Sequence, residues 1–222
     1  MKYFNQDFID FFSELSKNNN RDWFNENKQR YIKSVKDPFY HFIEALIHEI
    51  NDDDRSINIT PKEAIFRIYK DVRFSKDKQP YKTTTSAIIS QGGRKDFTTP
   101  GYYIEMDFNG IRFYGGAHFL DKTQLQNLRE HIADNLSGFQ RLIGDKNFKK
   151  EFGVLQGEQN KRIPKEFKDI SERESLIANK QFYFRADLSA KKILSNTLID
   201  SIMKLYIVGK PINQFLVKGI GG

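Results

Sequence analysis

The sequence predicts an α+β fold, a mainly antiparallel sheet from the middle of the chain covered on its apolar face by N- and C-terminal helices. Three observations carry this expectation. Apolar residues recur at helical spacing through about the first fifty positions and again after Asp121. Between about Ile65 and Leu120 the period changes to two. Gly92-Gly93, Pro100-Gly101 and Asn109-Gly110 punctuate that middle stretch as turns.

The first helix is predicted from Asn5, a capping residue, through the stripe Phe4, Phe8, Phe11, Phe12 and Leu15, and it stops at Asn18-Asn19-Asn20. Asn20 caps a second helix carrying Trp23, Phe24, Tyr31, Ile32 and Val35. Asp37-Pro38 is expected to restart the chain as a third helix, because proline suits a first turn and breaks an interior. Residues 57–120 read as sheet. Asn109-Gly110 predicts a type I′ hairpin pairing Phe108 with Ile111. Its apolar face holds Tyr102, Ile104, Met106, Phe108, Ile111 and Phe113. Its polar face holds Tyr103, Glu105, Asp107, Arg112, Tyr114 and His118, with Gly115-Gly116 as an unobstructed patch. After Asp121 a helix carries Leu125, Leu128 and Ile132. A strand is expected near Gln181–Arg185, and Ser189 caps a helix that Gly209 stops, with Pro211 opening a last one. No repeat or flexible linker interrupts the chain, so residues 1–222 read as one domain.

Composition narrows the chemistry. The chain lacks cysteine, which excludes disulfides, thiol nucleophiles and thiolate metal sites and suits a reducing compartment. No apolar run approaches the roughly 20 residues that span a bilayer, and the first helix is amphipathic, so a cytoplasmic protein with no membrane partner is expected. Oligomeric state is left open. The net charge of +7 allows an anionic partner, and its distribution is uneven. From Phe66 to Thr83, Arg67, Lys70, Arg73, Lys76, Lys78 and Lys82 face only Asp71 and Asp77, a local excess of four.

Alternation through Ile65–Phe74 predicts a strand with Phe66, Ile68, Val72 and Phe74 on one face and Arg67, Tyr69, Asp71 and Arg73 on the other. Ser75 to Pro80 then forms a lysine-rich loop, and Pro80 presents Tyr81 and Lys82. Two readings of this polar face compete. In one, Arg67, Asp71, Arg73, Glu105, Asp107 and Arg112 are cross-strand ion pairs on a solvated surface, each contributing at most about 1 kcal/mol. In the other, the guanidinium forks of Arg67 and Arg73 receive an anion, Asp71 orients one of them, and Tyr69, Tyr81 and Tyr114 wall the site. Lys76, Lys78 and Lys82 complete its ligand-binding set, and Asp71 and His118 are the candidate catalytic groups.

These residues also resemble a known family. Phe66-Arg67-Ile68-Tyr69-Lys70-Asp71-Val72-Arg73-Phe74-Ser75-Lys76-Asp77-Lys78-Gln79-Pro80-Tyr81-Lys82-Thr83 is similar to the signature of domain of unknown function 2461, an uncharacterised, mainly bacterial family. Asn19-Asn20-Arg21-Asp22-Trp23-Phe24, Gly101-Tyr102-Tyr103, Gly115-Gly116 and Leu128-Arg129 with Ile132 extend the resemblance, most clearly over residues 4 to 135. Lys70, Ala117 and Glu166 depart from the pattern. The resemblance implies a shared fold and a functional Arg67 to Thr83 segment, and no reaction.

Other constellations are weaker. His41, Glu44 and His48 share a helix face that solvation explains, and no metal site or cofactor is expected. No glycine-rich phosphate loop is present. The expectation is therefore a small phosphorylated or carboxylated ligand, held by a binding protein or an enzyme of unknown reaction. The alternatives are a nucleic-acid binding module, in which lysines contact phosphates and tyrosines stack on bases, and an interaction protein for an acidic partner.

Overall fold

The structure, a computed structural model, describes residues 1–73 and 76–221. Phe74 and Ser75, the end of the expected strand and the start of the expected loop, lie outside the described residues. The fold is α+β. Strands β1 (Thr85–Ile89), β2 (Gly101–Met106), β3 (Gly110–Ala117) and β4 (Phe182–Ser189) form one antiparallel sheet in the order β1-β2-β3-β4. Helices precede and follow it. No helix among the described residues is long and apolar enough to cross a membrane. The chain divides into two compact units. One comprises Met1–Arg94, Tyr103–Phe113 and Asp187–Met203; the other comprises Lys95–Tyr102, Tyr114–Ala186 and Lys204–Gly222.

The first unit is built on α1 (Gln6–Lys17), α2 (Arg21–Glu26), α3 (Lys28–Tyr31), α4 (Asp37–Asp53) and the one-turn α5 (Pro61–Ala64). Both expected caps are present: Asn5 accepts from the Asp7 N–H at 3.1 Å and Asn20 from that of Trp23 at 3.0 Å. The core is made of rings. Phe4, Phe8 and Phe12, four residues apart, meet edge to face at 4.7 and 5.2 Å, and Phe42 of α4 joins Phe4 at 5.7 Å. α4 buries Phe39, Phe42, Ile43, Leu46, Ile47 and Ile50, as its periodicity predicts, and packs with α5 on β1.

Asp37-Pro38 does not break the helix. Residues Ile32–Lys36 form a π-helical segment joining α3 directly to α4, and the Asp37 N–H donates to the Ile32 carbonyl five residues back. The widened turn accommodates the missing donor and bulky ring of Pro38, which a regular α-turn would not. Asp7 of α1 fixes this segment. It accepts from Ser34 Oγ at 2.6 Å and Arg30 Nε at 2.7 Å, while the Arg30 guanidinium also grips Glu14 at 2.6 and 3.0 Å.

The hairpin turn also differs from expectation. The Asp107 N–H donates to the Gly110 carbonyl at 3.0 Å, so Phe108 and Asn109 are the central residues. Among the described residues no non-glycine residue has positive φ, which rules out type I′ at Asn109. The Asp107 carboxylate is the cause: it accepts from the backbone N–H groups of Asn109 at 2.7 Å and Gly110 at 3.2 Å and takes over the turn. The facing of the strands is unchanged, with Ile104, Met106, Ile111 and Phe113 buried and Glu105 and Arg112 on the other side.

The second unit contains α6 (Lys122–Asp134), α7 (Leu136–Ile143), α8 (Lys146–Phe152), α9 (Lys168–Arg173) and part of β4, which carries the expected strand residues Phe182 and Phe184. Asp121 and Gln124 form a capping box at α6, which buries Leu128 and Ile132. Ser189, the last residue of β4, precedes the short α10 (Ala190–Ile193), and α11 runs unbroken from Leu198 to Gly219, through both Gly209 and Pro211. Gly209 is a contact point and not a stop. A Cβ there would lie 2.5 Å from the Phe184 ring, and one at Gly115 would lie 2.2 Å from it. Phe184 thus fills the space beside Gly115 that was expected to be open.

Candidate functional site

The first unit contains a cleft of about 560 Å³, within the range of small-molecule sites. Helix α3 and the π segment contribute Lys28, Tyr31, Ile32 and Lys36, and α4 contributes Phe39 and Tyr40. Pro61 and Lys62 come from α5, followed by the extended segment Ile65 to Tyr69, and Arg94 closes the lining. The π segment makes this grouping possible. In an uninterrupted α-helix Tyr40 would lie about 120° round the axis from Lys28, and the wider turn reduces that lag.

Five lining residues are basic, Lys28, Lys36, Lys62, Arg67 and Arg94, and none is acidic. Among the described residues, Lys28, Lys36, Lys62 and Arg67 have no carboxylate within 4 Å. Arg94 donates one N–H to the Ile65 carbonyl at 2.6 Å, which leaves further donors in its fork. Tyr31, Tyr40 and Tyr69 bring hydroxyls that have no hydrogen-bond partner among the described residues. Burial pushes the Tyr31 hydroxyl up to about 12, so it stays a neutral donor at physiological pH.

Two of the expected ligand-binding residues, Arg67 and Tyr69, line this cleft, and the others are placed elsewhere. Asp71 and Arg73 close on each other at 2.9 and 2.5 Å on an exposed surface. That pairing, with the backbone N–H of Arg73, holds the Asp71 carboxyl below its ordinary value. Lys76 is exposed and Lys78 Nζ donates to the Val72 carbonyl at 3.1 Å. Tyr81 is buried, its ring stacked on Phe24 at 3.9 Å. Lys82 sits 5.2 Å over the Phe66 ring, and burial, aided by Arg67, lowers its pKa. Tyr114 and His118 belong to the second unit, where Arg185 lies 5.5 Å over the Tyr114 ring and His118 is exposed beside Tyr183.

The strand expected over Ile65–Phe74 is reduced to two isolated bridges, Ile65 with Ala87 and Tyr69 with Tyr81, on either side of a bend at Ile68. A continuous ladder does not form because the register changes between the bridges, with three residues separating Ile65 from Tyr69 and five separating Tyr81 from Ala87, and Pro80 has no N–H to return the bond it accepts from Lys70. On the sheet's polar face in the first unit, Arg112 forms an ion-pair network with Glu105 and Asp107. Arg112 donates to Glu105 at 2.6 Å and Asp107 at 2.9 Å, and Glu105 also accepts from Tyr103 and Thr84. His41 and His48 are exposed beside Glu44 and Asp52, and the described residues contain no group of three acidic, His or Cys side chains arranged for a metal.

Sequence reasoning passed over Lys28, Tyr31, Lys36, Tyr40, Lys62 and Arg94 because they are scattered over five elements. One signal was available: Thr60-Pro61-Lys62-Glu63 is a capping box with proline at the first helical position, and it locates α5 inside the region expected to be sheet.

An α+β fold, an antiparallel sheet and a basic, aromatic cleft define the class of protein. The chain belongs to the family described as "Conserved hypothetical protein (DUF2461)", whose family model matches residues 7–215 and so includes the C-terminal third. No curated protein and no solved structure matches the chain.

Proposed function

We propose that this protein binds a small anionic ligand, phosphorylated or carboxylated, in the cleft between α3, α4, α5 and the Arg67 segment. The observation that carries the reading is the lining itself: five cations with no carboxylate among them. Clustered cations raise one another's energy, and an anion relieves that cost. Arg67 and Arg94 offer guanidinium forks suited to phosphate or carboxylate, and Lys28, Lys36 and Lys62 offer point charges. Binding is assigned and no catalytic step is, since Asp71 and His118 do not line the cleft. The reading takes the protein as bacterial and cytoplasmic, in keeping with the family resemblance and a chain without cysteine.

Calorimetry at low salt with phosphate, pyrophosphate and citrate tests the reading. At least one anion is expected to bind, with Arg67→Gln weakening it roughly tenfold. Absence of binding by all three would refute it.

One observation favours nucleic acid as a second reading. In the second unit Tyr114, Tyr183, His118, Phe119 and Phe97 form a chain of neighbouring rings with centroids 4.7 to 6.5 Å apart, and Arg185 lies over Tyr114. Phe97 and Phe119 are each about half exposed. Rings of this kind stack on unpaired bases. Loss of oligonucleotide binding in Phe119→Ala would support it, and wild-type protein that retains no single-stranded oligonucleotide at low salt would exclude it.

A further inference from the structure

We propose that the anion held in the cleft is a ring-bearing polyanion of the nucleoside diphosphate class, with two or more negative groups joined to a flat organic body. The inference rests on the anion-binding reading above and adds the ligand's shape and charge number.

Charge number follows from placement. The cations stand on five separate pieces of chain: Lys28 on α3, Lys36 on the π segment, Lys62 on α5, Arg67 in the extended segment and Arg94 in the turn after β1. A single phosphate group is compact and engages a cluster at one point. Cations distributed around the lining are matched by negative groups at more than one point along a ligand.

The flat body follows from the rings. Phe24 and Phe39, at the base of the lining, are almost completely buried by the protein itself. Tyr40 and Tyr69 also line the cleft but keep 39% and 50% of their surface exposed. Exposed ring faces at the edge of a cationic cleft offer stacking area that an inorganic anion does not use. Tyr69 is also held in place, 6.1 Å from Phe24 and 5.5 Å from Tyr81, so little is lost in ordering it on binding.

Volume agrees. A cleft of about 560 Å³ is of the size that encloses an organic ligand, and orthophosphate would leave most of it to water. The hydroxyls of Tyr31, Tyr40 and Tyr69, which have no hydrogen-bond partner among the described residues, supply neutral donors for a sugar or for phosphate oxygens.

Calorimetric titration of the full chain with ADP, pyrophosphate and adenosine tests the proposal. ADP is expected to bind roughly tenfold or more tightly than pyrophosphate, the gain coming from ring stacking, and adenosine should bind more weakly than either. Tyr69→Leu and Tyr40→Leu are each expected to shrink the ADP-to-pyrophosphate ratio toward one, and Arg67→Gln to weaken both ligands together. Pyrophosphate binding as tightly as ADP would overturn the ring-bearing ligand and leave the anion site standing. Adenosine binding as tightly as ADP would overturn the polyanion. No heat with any of the three, in a chain whose thermal unfolding is cooperative, would overturn both readings.

Discussion

The side-chain amide of Asn19 exchanges two hydrogen bonds with the backbone of Tyr81: Nδ2 donates to the Tyr81 carbonyl at 2.9 Å, and the Tyr81 N–H donates to Oδ1 at 3.1 Å. An amide side chain here replaces the neighbouring strand that the sequence around Tyr81 otherwise invites. It joins the α1–α2 connection to the segment after the lysine loop, two stretches that both lie within the residues the family model matches. It also presses Tyr81 onto Phe24, the base of the cleft.

Asn19→Ala is expected to destabilise the protein by about 1–3 kcal/mol, since it leaves the part-buried N–H and carbonyl of Tyr81 without partners. Asn19→Asp keeps the acceptor and loses the donor, so it should fall between alanine and wild type at neutral pH. Urea unfolding of the three proteins checks the order. Equal midpoints would show that water replaces the amide at no cost.

The Phe184 ring sits against Gly115 and Gly209, and a Cβ at either position would overlap it. Glycine to alanine inside an exposed helix normally gains about 1 kcal/mol. Gly209→Ala in α11 is expected to lose about 1–3 kcal/mol by overpacking. The double variant Gly209→Ala with Phe184→Leu should recover part of that loss. Thermal denaturation of the single and double variants measures the coupling.

Asp7 connects α1 to the π segment through Ser34 and to α3 through Arg30. Asp7→Ala is expected to cost about 1–3 kcal/mol, because Ser34 is buried and loses its acceptor while Arg30 keeps Glu14. Hydrogen exchange should show faster opening around residues 32–36 than in the rest of α4. Uniform exchange along the helix would contradict that anchoring role.

Asp96 accepts from the hydroxyls and backbone N–H groups of Thr98 and Thr99, and these bonds, the Thr99 hydroxyl first, bring its carboxyl down to about 2. The folded state therefore holds this proton less tightly than the unfolded chain, whose aspartate titrates near pH 4. The stabilisation is complete above about pH 4 and disappears as the pH falls toward about 2. Asp96→Asn should lower the melting temperature at pH 6 and differ much less from wild type near pH 2.5. A constant difference across that range would rule out the carboxylate as its source.

Periodicity made the helices and the sheet legible because burial imposes it directly: Phe4, Phe8 and Phe12 face inward for the reason that makes them recur. The hairpin faces survived a wrong turn, since moving the pairing by whole pleats leaves Ile104 and Glu105 on their own sides. What sequence reasoning missed involves groups acting over long chain separations. The register change between the Ile65–Ala87 and Tyr69–Tyr81 bridges interrupts what alternation alone predicts to be a strand over Ile65–Phe74, and Phe184 decides the meaning of Gly115 and Gly209. Of the expected ligand-binding residues, two line the candidate cleft. Arg67 and Tyr69 lie in the densest basic stretch, while Lys28, Lys36 and Lys62 carry no local mark and are brought together only by folding.

The π segment before Pro38 gives the helix one surplus residue, and a helix can shed a residue more easily than a strand can. A deletion within residues 32–36 would let the segment slip into a regular α-turn with the later helix nearly in its present phase, since eleven residues at 100° return Tyr40 to within about 20° of Lys28. Pro38 opposes that slip, because a regular turn at that point would leave it as an interior proline costing about 3 kcal/mol. The residue expected to end a helix here holds the wide turn in place, and that turn's smaller advance per residue keeps Lys28 and Tyr40 on one side of the helix.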